Sequence, residues 1–325
     1  MNDTVVQENG ITQIGDFKEL IDKLKIKKED LHGALYSLFH HTNIDAFSKI
    51  VTGGNVWLSR IDKMNDGTEV FKKADRTYAF CLSAKPTENV GMWIAYGLPR
   101  REAIRVRFSG KALMDVITAS KGRVSVIPVK KGIPQSKPVF GTVSLQYVGY
   151  VSRSGQRVHT GRVIYELKEL NRGKEEKTLR RKDVMDCCGS FIKRLGWQYE
   201  NELRFVVTLD KPIDAEKVQV DLSNAIEGLL TYKPKKNKNG SIGMPSVIVG
   251  PWSVREAFVK LFREKIKDLP CAWQDKIEYF LSQVTDDDEG LVRESEYKGN
   301  VKLGRCNGCD KKSECTCEYR EGDPQ

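Results

Sequence analysis

The hydrophobic pattern of the chain predicts short strands mixed with helices. Apolar runs of strand length occur at ALYSLFHH, NVWLS, YAFCLS, IRVRFS, VIYEL and VIVGP. Apolar residues spaced three and four apart predict a helix within 16–33. A second helix is predicted to start at Asn43 and to end at Gly53 and Gly54. The irregular alternation of these elements predicts a strand-rich chain of the α+β class, because long helices do not regularly separate the strands.

The stretch WQYENELRF, residues 197–205, alternates with a period of two and therefore predicts a half-buried strand. One face would carry mainly aromatic and aliphatic side chains, and the other would carry Glu200, Glu202 and Arg204. Two carboxylates on one strand face lie about 6.5 Å apart and repel each other. The pair is therefore either a solvated face whose charge Arg204 offsets, or a functional pair.

Composition divides the chain into four segments. The predicted segments are an N-terminal helical segment at 1–33, a central domain at 34–252, C-terminal helices at 253–285 and an acidic tail at 286–325. The helices at 253–285 would be broken at Pro270. The tail is poor in core-forming residues and is expected to be mostly disordered.

The charge of the chain is unevenly distributed. The net charge is +10, but residues 286–325 contain eleven acidic and seven basic residues, which leaves +14 on residues 1–285. Basic clusters occur at VKKGIPQSK, LRRK and YKPKKNKNG. Such a body favours a polyanion partner, most simply nucleic acid, although a lysine-rich surface also serves solubility.

The sequence contains no run of about 18 apolar residues and no secretory signal pattern at its start, so we expect a cytoplasmic protein that does not cross a membrane. Its cysteines are then expected to be reduced. The Rossmann, P-loop, nucleophile-elbow and HExxH patterns do not occur.

Polar and aromatic side chains mark the ends of several predicted strands. His40 and His41 stand where a strand enters a helix N-terminus, which is a place that attracts phosphate. RIDKMNDGTE, with a turn at Asn65-Asp66-Gly67, is expected to shape the mouth of a pocket. Trp93 and Tyr96 share one side of a short helix and could stack a planar ring or belong to the core.

The order of three motif pieces resembles the ADP-ribosyltransferase superfamily. The pieces are His40-His41-Thr42 on a strand, Ser83 at the end of an apolar strand, and Glu200-Asn201-Glu202 on a late strand. Most of residues 35–251 also resembles an uncharacterised bacterial family. That family carries Asn-Asp-x-x-Glu, Cys-x-Ser, Met-Trp-x-x-Tyr and Trp-x-x-Glu-x-Glu-x-Arg motifs.

This resemblance implies two small packed antiparallel-rich sheets that form an NAD-binding cleft, with flanking helices. Glu202 would stabilise the oxocarbenium-like transition state as nicotinamide leaves, and Glu200 would orient or deprotonate the acceptor. The remaining roles concern NAD binding. His40 would bind NAD, with His41 as the alternative to it and Thr42 in the same motif. Ser83 would also contribute to NAD binding, and Trp93 or Tyr96 would supply an aromatic ring for stacking.

The identity of the acceptor stays open at the level of sequence. The basic body favours nucleic acid, with RNA slightly preferred over DNA, in a bacterial toxin or phage-defence effector. The alternatives are an Arg-directed protein ADP-ribosyltransferase, an NAD glycohydrolase, and a non-catalytic nucleic-acid-binding module on the same fold.

The tail contains CNGCDKKSECTC, in which Cys306, Cys309, Cys315 and Cys317 have spacing that allows a tetrahedral zinc site. A disulfide pair and unliganded thiols are the alternatives. An acidic tail of this kind also suggests a contact for an antitoxin or a chaperone.

Overall fold

The computed structural model describes residues 11–31, 37–64, 69, 71–84, 88–97, 103–160, 163–167, 180–223, 247–250, 264, 279–281 and 291–292. The helices are α1 Phe17–Leu24, α2 Ile44–Gly53, α3 Val90–Gly97, α4 Gly110–Ala119 and α5 Arg181–Cys188. The first strands are β1 Ile11–Ile14, β2 Ser37–Asn43, β3 Asn55–Arg60, β4 Thr77–Ser83, β5 Glu88–Asn89, β6 Ala103–Ser109, β7 Arg123–Lys130, β8 Ile133–Pro134 and β9 Val139–Tyr147. The later strands are β10 Gly149–Val151, β11 Arg157–His159, β12 Ile164–Leu167, β13 Ile192–Arg194, β14 Glu202–Leu209, β15 Lys217–Asp221, β16 Val247–Val249, β17 Tyr279–Leu281 and β18 Leu291–Val292.

The chain divides into two compact units, and each is built from separate segments. The first unit combines residues 1–30, 57–81 and 117–220, and the second combines 31–56, 82–116 and 221–325. This division interleaves the segments, unlike the sequential division that composition suggests.

A closed antiparallel barrel of six strands forms the larger part of the first unit. Its strands follow the order β14, β9, β7, β15, β3 and β4, and a pairing between β14 and β4 closes it. Seven residue pairs join β14 to β9, from Leu203 opposite Tyr147 to Leu209 opposite Gly141. Closure gives every strand two neighbours and leaves no free edge in the barrel.

A five-stranded sheet in the order β1, β12, β11, β10 and β13 completes the first unit. Helices α1 and α5 pack on it through a shared apolar core, which includes Leu20, Leu24, Val151, Val184 and Ile192. The side chain of Asp16 caps α1 by accepting a hydrogen bond from the backbone N–H of Glu19. Thus α1 forms as predicted but ends at Leu24, well before Gly33.

In the second unit, β2 pairs antiparallel with β6 along its full length, β6 pairs with β16, and β16 pairs in parallel with β17. Helix α2 starts after Asn43, whose side chain accepts a hydrogen bond from the backbone N–H of Ala46. Gly54 ends it with a φ of 67°, a left-handed conformation that glycine adopts without strain. Both ends of α2 therefore agree with the sequence prediction.

Two predictions of secondary structure were wrong. Residues 195–200 form a short 3-10 helix, so the predicted strand begins only at Glu202. Residues 279–281 form strand β17 where a helix was predicted, because they add a parallel strand to β16. Mixed helix and sheet, with predominantly antiparallel pairing in the described residues, agrees with the predicted α+β class.

A buried ion cluster and an arginine-lined cavity

Lys193 brings the two predicted glutamates together. Its ammonium group donates to Glu200 Oε2 at 2.6 Å and to Glu202 Oε2 at 3.0 Å. Between the glutamates, Asn201 adopts a left-handed conformation with a φ of 42°, and this residue joins the 3-10 helix to β14. Glu200 therefore reaches Lys193 from the helix and Glu202 reaches it from the strand, rather than from one strand face.

Arg204 engages the opposite side of Glu202. Its Nε donates to Glu202 Oε1 at 2.7 Å, and its Nη1 donates to the backbone oxygen of Ser190 at 3.0 Å. Its Nη2 donates to Glu69 Oε1. Arg204 is fully buried and Glu202 is only 4% exposed, so both carboxylate oxygens of Glu202 face cations inside the protein.

The strand containing Glu202 is buried on both faces, not half-buried as predicted. Leu203, Phe205 and Val207 pack on one side, and Glu202 and Arg204 lie on the other. A polar side of a strand can be buried only when its groups are paired, and here Arg204 pairs with two carboxylates. The alternation therefore indicates the two faces correctly but not their exposure to water.

The two glutamates have opposite shifts in pKa. Burial, followed by the negative charge of Glu202, raises the pKa of Glu200 to about 7. Burial would also raise the pKa of Glu202, but the positive charges of Arg204 and Lys193 outweigh it and lower the value to about 2. Glu202 is therefore ionised at neutral pH, whereas Glu200 exchanges its proton near pH 7.

Surrounding polar groups hold the cluster in place. The Gln146 side chain donates to the backbone oxygen of Ser190 at 2.8 Å, beside Arg204. The backbone N–H of Glu202 donates to the Tyr150 hydroxyl at 2.7 Å. Three carboxylates thus face two cations in a buried, hydrogen-bonded network, which is the arrangement that keeps buried charges tolerable.

Residues from three of the short sequence motifs meet at this cluster. Glu69 is the last residue of Asn-Asp-x-x-Glu, and Cys81 is the first residue of Cys-x-Ser. Glu200, Glu202 and Arg204 belong to Trp-x-x-Glu-x-Glu-x-Arg. The thiol of Cys81 lies beside Glu202, and its pKa is raised well above the usual value, first by burial and then by that charge. The turn Asn65-Asp66-Gly67 lies outside the described residues.

The predicted NAD-binding residues belong to the second unit. His41, Thr42 and Ser83 are buried there, and His40 is partly exposed. His41 packs edge-on against Trp93, with ring centres 5.2 Å apart. Burial and the nearby charge of Arg105 lower the pKa of His41 well below its usual value, so His41 is neutral at pH 7 and attracts phosphate weakly.

Trp93 has no exposed surface, so it is a core residue and does not offer a face for nicotinamide in this conformation. Tyr96 lies in α3, but its side chain is outside the described residues, as are the four cysteines of the tail. Among the described side chains of this second set, His41, Thr42, Ser83 and Trp93 are therefore buried and His40 is partly exposed.

A cavity of about 500 Å³ lies in the first unit, and it is lined in part by residues that directly precede Glu200 in the sequence. Three arginines line it, Arg153, Arg181 and Arg194, together with Trp197 and Tyr199. The two aromatic rings are 6.1 Å apart between centres, and Tyr199 is 40% exposed. No acidic side chain is among the described residues that line this cavity.

Sequence reasoning missed the three arginines of the cavity and Lys193 of the ion cluster. Arg181 lies in the basic cluster LRRK, which the sequence indicates only as a local excess of positive charge, and Arg153 and Arg194 carry no comparable signal. The only sequence signal at Lys193 is a lysine that directly follows the apolar pair Phe191-Ile192, since a charge in a buried strand needs a partner.

No protein-family profile, curated protein or solved structure matches this chain. Within the described residues, no group of His, Cys, Asp or Glu side chains is arranged to hold a metal ion. The same part of the chain contains no helix with the length and apolarity needed to cross a membrane.

Proposed function

We propose that this protein binds nucleic acid through the arginine-lined cavity of its first unit. The observation that carries the proposal is the presence of three guanidinium groups and two aromatic rings around one cavity. Guanidinium groups bind phosphate with paired hydrogen bonds, and aromatic rings stack on bases. The charge of +14 on residues 1–285 adds long-range attraction for a polyanion.

The buried glutamates do not oppose this binding. Carboxylates at a surface would repel phosphates, but Glu200 and Glu202 are each about 4% exposed and share Lys193 as a partner. Their charge is offset inside the protein by Lys193 and Arg204. The ion cluster therefore supports the wall of the cavity without presenting negative charge to a ligand.

The test is salt-dependent binding of fluorescently labelled RNA and DNA oligonucleotides, measured by anisotropy. We expect Arg153→Ala and Arg181→Ala each to weaken binding and to reduce the slope of log K against log salt by about one. Arg123→Ala is the matched control, because Arg123 is an exposed arginine that pairs with Asp210 on the barrel. An unchanged slope in both cavity variants would contradict the proposal.

A second candidate is ADP-ribosyl transfer from NAD, with nucleic acid as acceptor and RNA slightly favoured over DNA. The specific observation in its favour is Glu200, whose pKa of about 7 suits proton exchange at neutral pH and which directly follows Tyr199 of the cavity. Since both oxygens of Glu202 are engaged, this candidate assigns the acid–base role to Glu200 and a positioning role to Glu202.

Incubation with labelled NAD and RNA, DNA or cell protein tests this second candidate and also separates the Arg-directed and glycohydrolase alternatives. Transfer or nicotinamide release that is lost in Glu200→Gln and kept in Glu166→Gln would support this candidate. Glu166 serves as the control because it lies on the five-stranded sheet and pairs with Arg157. Binding of nucleic acid without nicotinamide release would leave the non-catalytic module. The toxin or phage-defence role, the zinc site and the antitoxin or chaperone contact remain predictions for the tail and the whole chain.

A further inference from the structure

The three arginines of the cavity come from three different elements, and the fold fixes them together. Arg194 ends β13 and lies opposite Val151 of β10, the strand that leads into the turn with Arg153. That turn packs closely on the start of α5, because a Cβ at Gly155 would lie 2.6 Å from the backbone of Arg180 and Arg181. The positive charges therefore converge through the pairing of β10 with β13 and the close contact of this turn with α5.

This convergence gives the cavity more positive charge than an internal phosphodiester needs. Each internal phosphate of a strand carries one negative charge, whereas a terminal phosphate monoester carries about −1.5 to −2 at pH 7. Within the described part of the chain, neither Arg153 nor Arg181 is paired with an acid, and no acid lines the cavity beside them, so their charge is available to a ligand. A terminal phosphate matches this density of charge best.

The aromatic side of the cavity suits a base that is not paired. Trp197 and Tyr199 precede Glu200 in the 3-10 helix, and their rings are tilted by 34° to each other. Such rings stack on the face of a base, and in a duplex that face is covered by neighbouring bases. The partial exposure of Tyr199 leaves this face open to the solvent side of the cavity.

We propose that the cavity binds a nucleotide with a terminal phosphate and an unpaired base, with the phosphate on Arg153, Arg181 and Arg194 and the base on Trp197 and Tyr199. The ligand is either the phosphorylated end of a single strand or a free nucleotide, since both present this chemistry. The proposal rests on the proposed binding of nucleic acid and adds the chemical class of the group that is recognised.

The experiment compares labelled single-stranded pentanucleotides that carry a 5′-phosphate, a 3′-phosphate or no terminal phosphate, in RNA and DNA form. We expect one terminal phosphate to tighten binding at least tenfold, and Arg181→Ala to remove that gain. Tyr199→Ala is expected to weaken the binding of the phosphorylated strand and of a nucleoside monophosphate alike. Arg123→Ala is expected to keep full binding of both. Tyr199 is exposed, so this variant leaves the ion cluster intact.

Competition with unlabelled ligands identifies the source of the ligand. A free nucleoside monophosphate that competes as well as the strand assigns the cavity to free nucleotides, and a weaker one assigns it to strand ends. The role of the base would be overturned if inorganic phosphate competed equally well, or if a blunt duplex bound as tightly as the single strand. Equal binding with and without the terminal phosphate would overturn this inference while nucleic-acid binding itself stands.

Discussion

The ammonium group of Lys193 lies 4.9 Å from the centre of the Trp197 ring. The cation that holds Glu200 and Glu202 inside the protein therefore also contacts an aromatic wall of the cavity. A cation at this distance over the face of an indole is attracted to it and restrains its position. The ion cluster and the cavity are thus physically connected within the first unit through one lysine.

Replacement of Lys193 by methionine is expected to destabilise the protein by about 3–5 kcal/mol, because two buried carboxylates lose their shared cation. Urea denaturation of the full chain measures the loss. The control is Arg123→Met, since Arg123 and Asp210 form an ion pair that is about half exposed and is expected to contribute less than about 1 kcal/mol. Equal losses in the two variants would show that the buried network has no special role in stability.

The stability of the protein should depend on the protonation of Glu200. In the unfolded chain its carboxyl has a pKa of about 4.5, and in the folded protein the pKa is about 7. Between these values the unfolded state releases a proton that the folded state keeps, so the free energy of unfolding falls as the pH rises and levels off above about 7. The contribution spans about 3 kcal/mol.

Glu200→Gln lacks this titration, so its stability relative to the native sequence is expected to improve between pH 5 and about pH 7 and to stay constant above that. Urea denaturation at four pH values across this range measures the difference. Glu202 does not interfere, because its stabilising contribution is fully present above about pH 4.5 and is lost only as the pH falls from there toward its lowered pKa of about 2. Parallel stability profiles for the two proteins would contradict the raised pKa of Glu200.

Gly155→Ala is expected to disturb the cavity as well as the stability. Gly155 has a φ of 83°, and an added Cβ would overlap the backbone of Arg180 and Arg181. Gly132→Ala is a matched control, because Gly132 has a φ of 77° but no atom within 4 Å of the added Cβ. The control is expected to lose about 1–2 kcal/mol through backbone strain alone.

The overlap at Gly155 should add about 1–3 kcal/mol to that strain and should weaken oligonucleotide binding, which the Gly132 variant should keep. Thermal denaturation together with the anisotropy assay separates the two effects. Identical behaviour of both variants would show that the contact between this turn and α5 does not shape the cavity.

Asn201 should tolerate glycine but not alanine. Its φ of 42° is left-handed, a conformation that asparagine and glycine adopt more readily than other residues. Asn201→Ala is expected to lose about 1 kcal/mol in urea denaturation, and Asn201→Gly is expected to stay within a few tenths of the native value. If alanine were as stable as glycine here, the left-handed turn between Glu200 and Glu202 would not be required by the fold.

Local rules predicted the elements whose signals are contained in a few neighbouring residues. Helix α2 begins after Asn43 and ends at Gly54, because a side-chain cap and a left-handed glycine act within one turn of the helix. Strand β4 also follows from its own apolar residues. The prediction of a strand at 197–201 was wrong, because the alternation of polar and apolar residues does not reveal the left-handed turn at Asn201.

The sequence alone determined an α+β chain with a basic body, and it singled out Glu200 and Glu202 as a pair that requires an explanation. Only the tertiary structure decided that explanation. Arg204 is two residues from Glu202 in the sequence, but the fold adds Lys193 as the shared partner of both glutamates and brings Glu69 to Arg204 from 135 residues away. It also brought Arg153, Arg181 and Arg194 to one cavity. The reason is physical: the cost of a buried charge and the attraction of a cavity depend on distances between segments, which no local pattern contains.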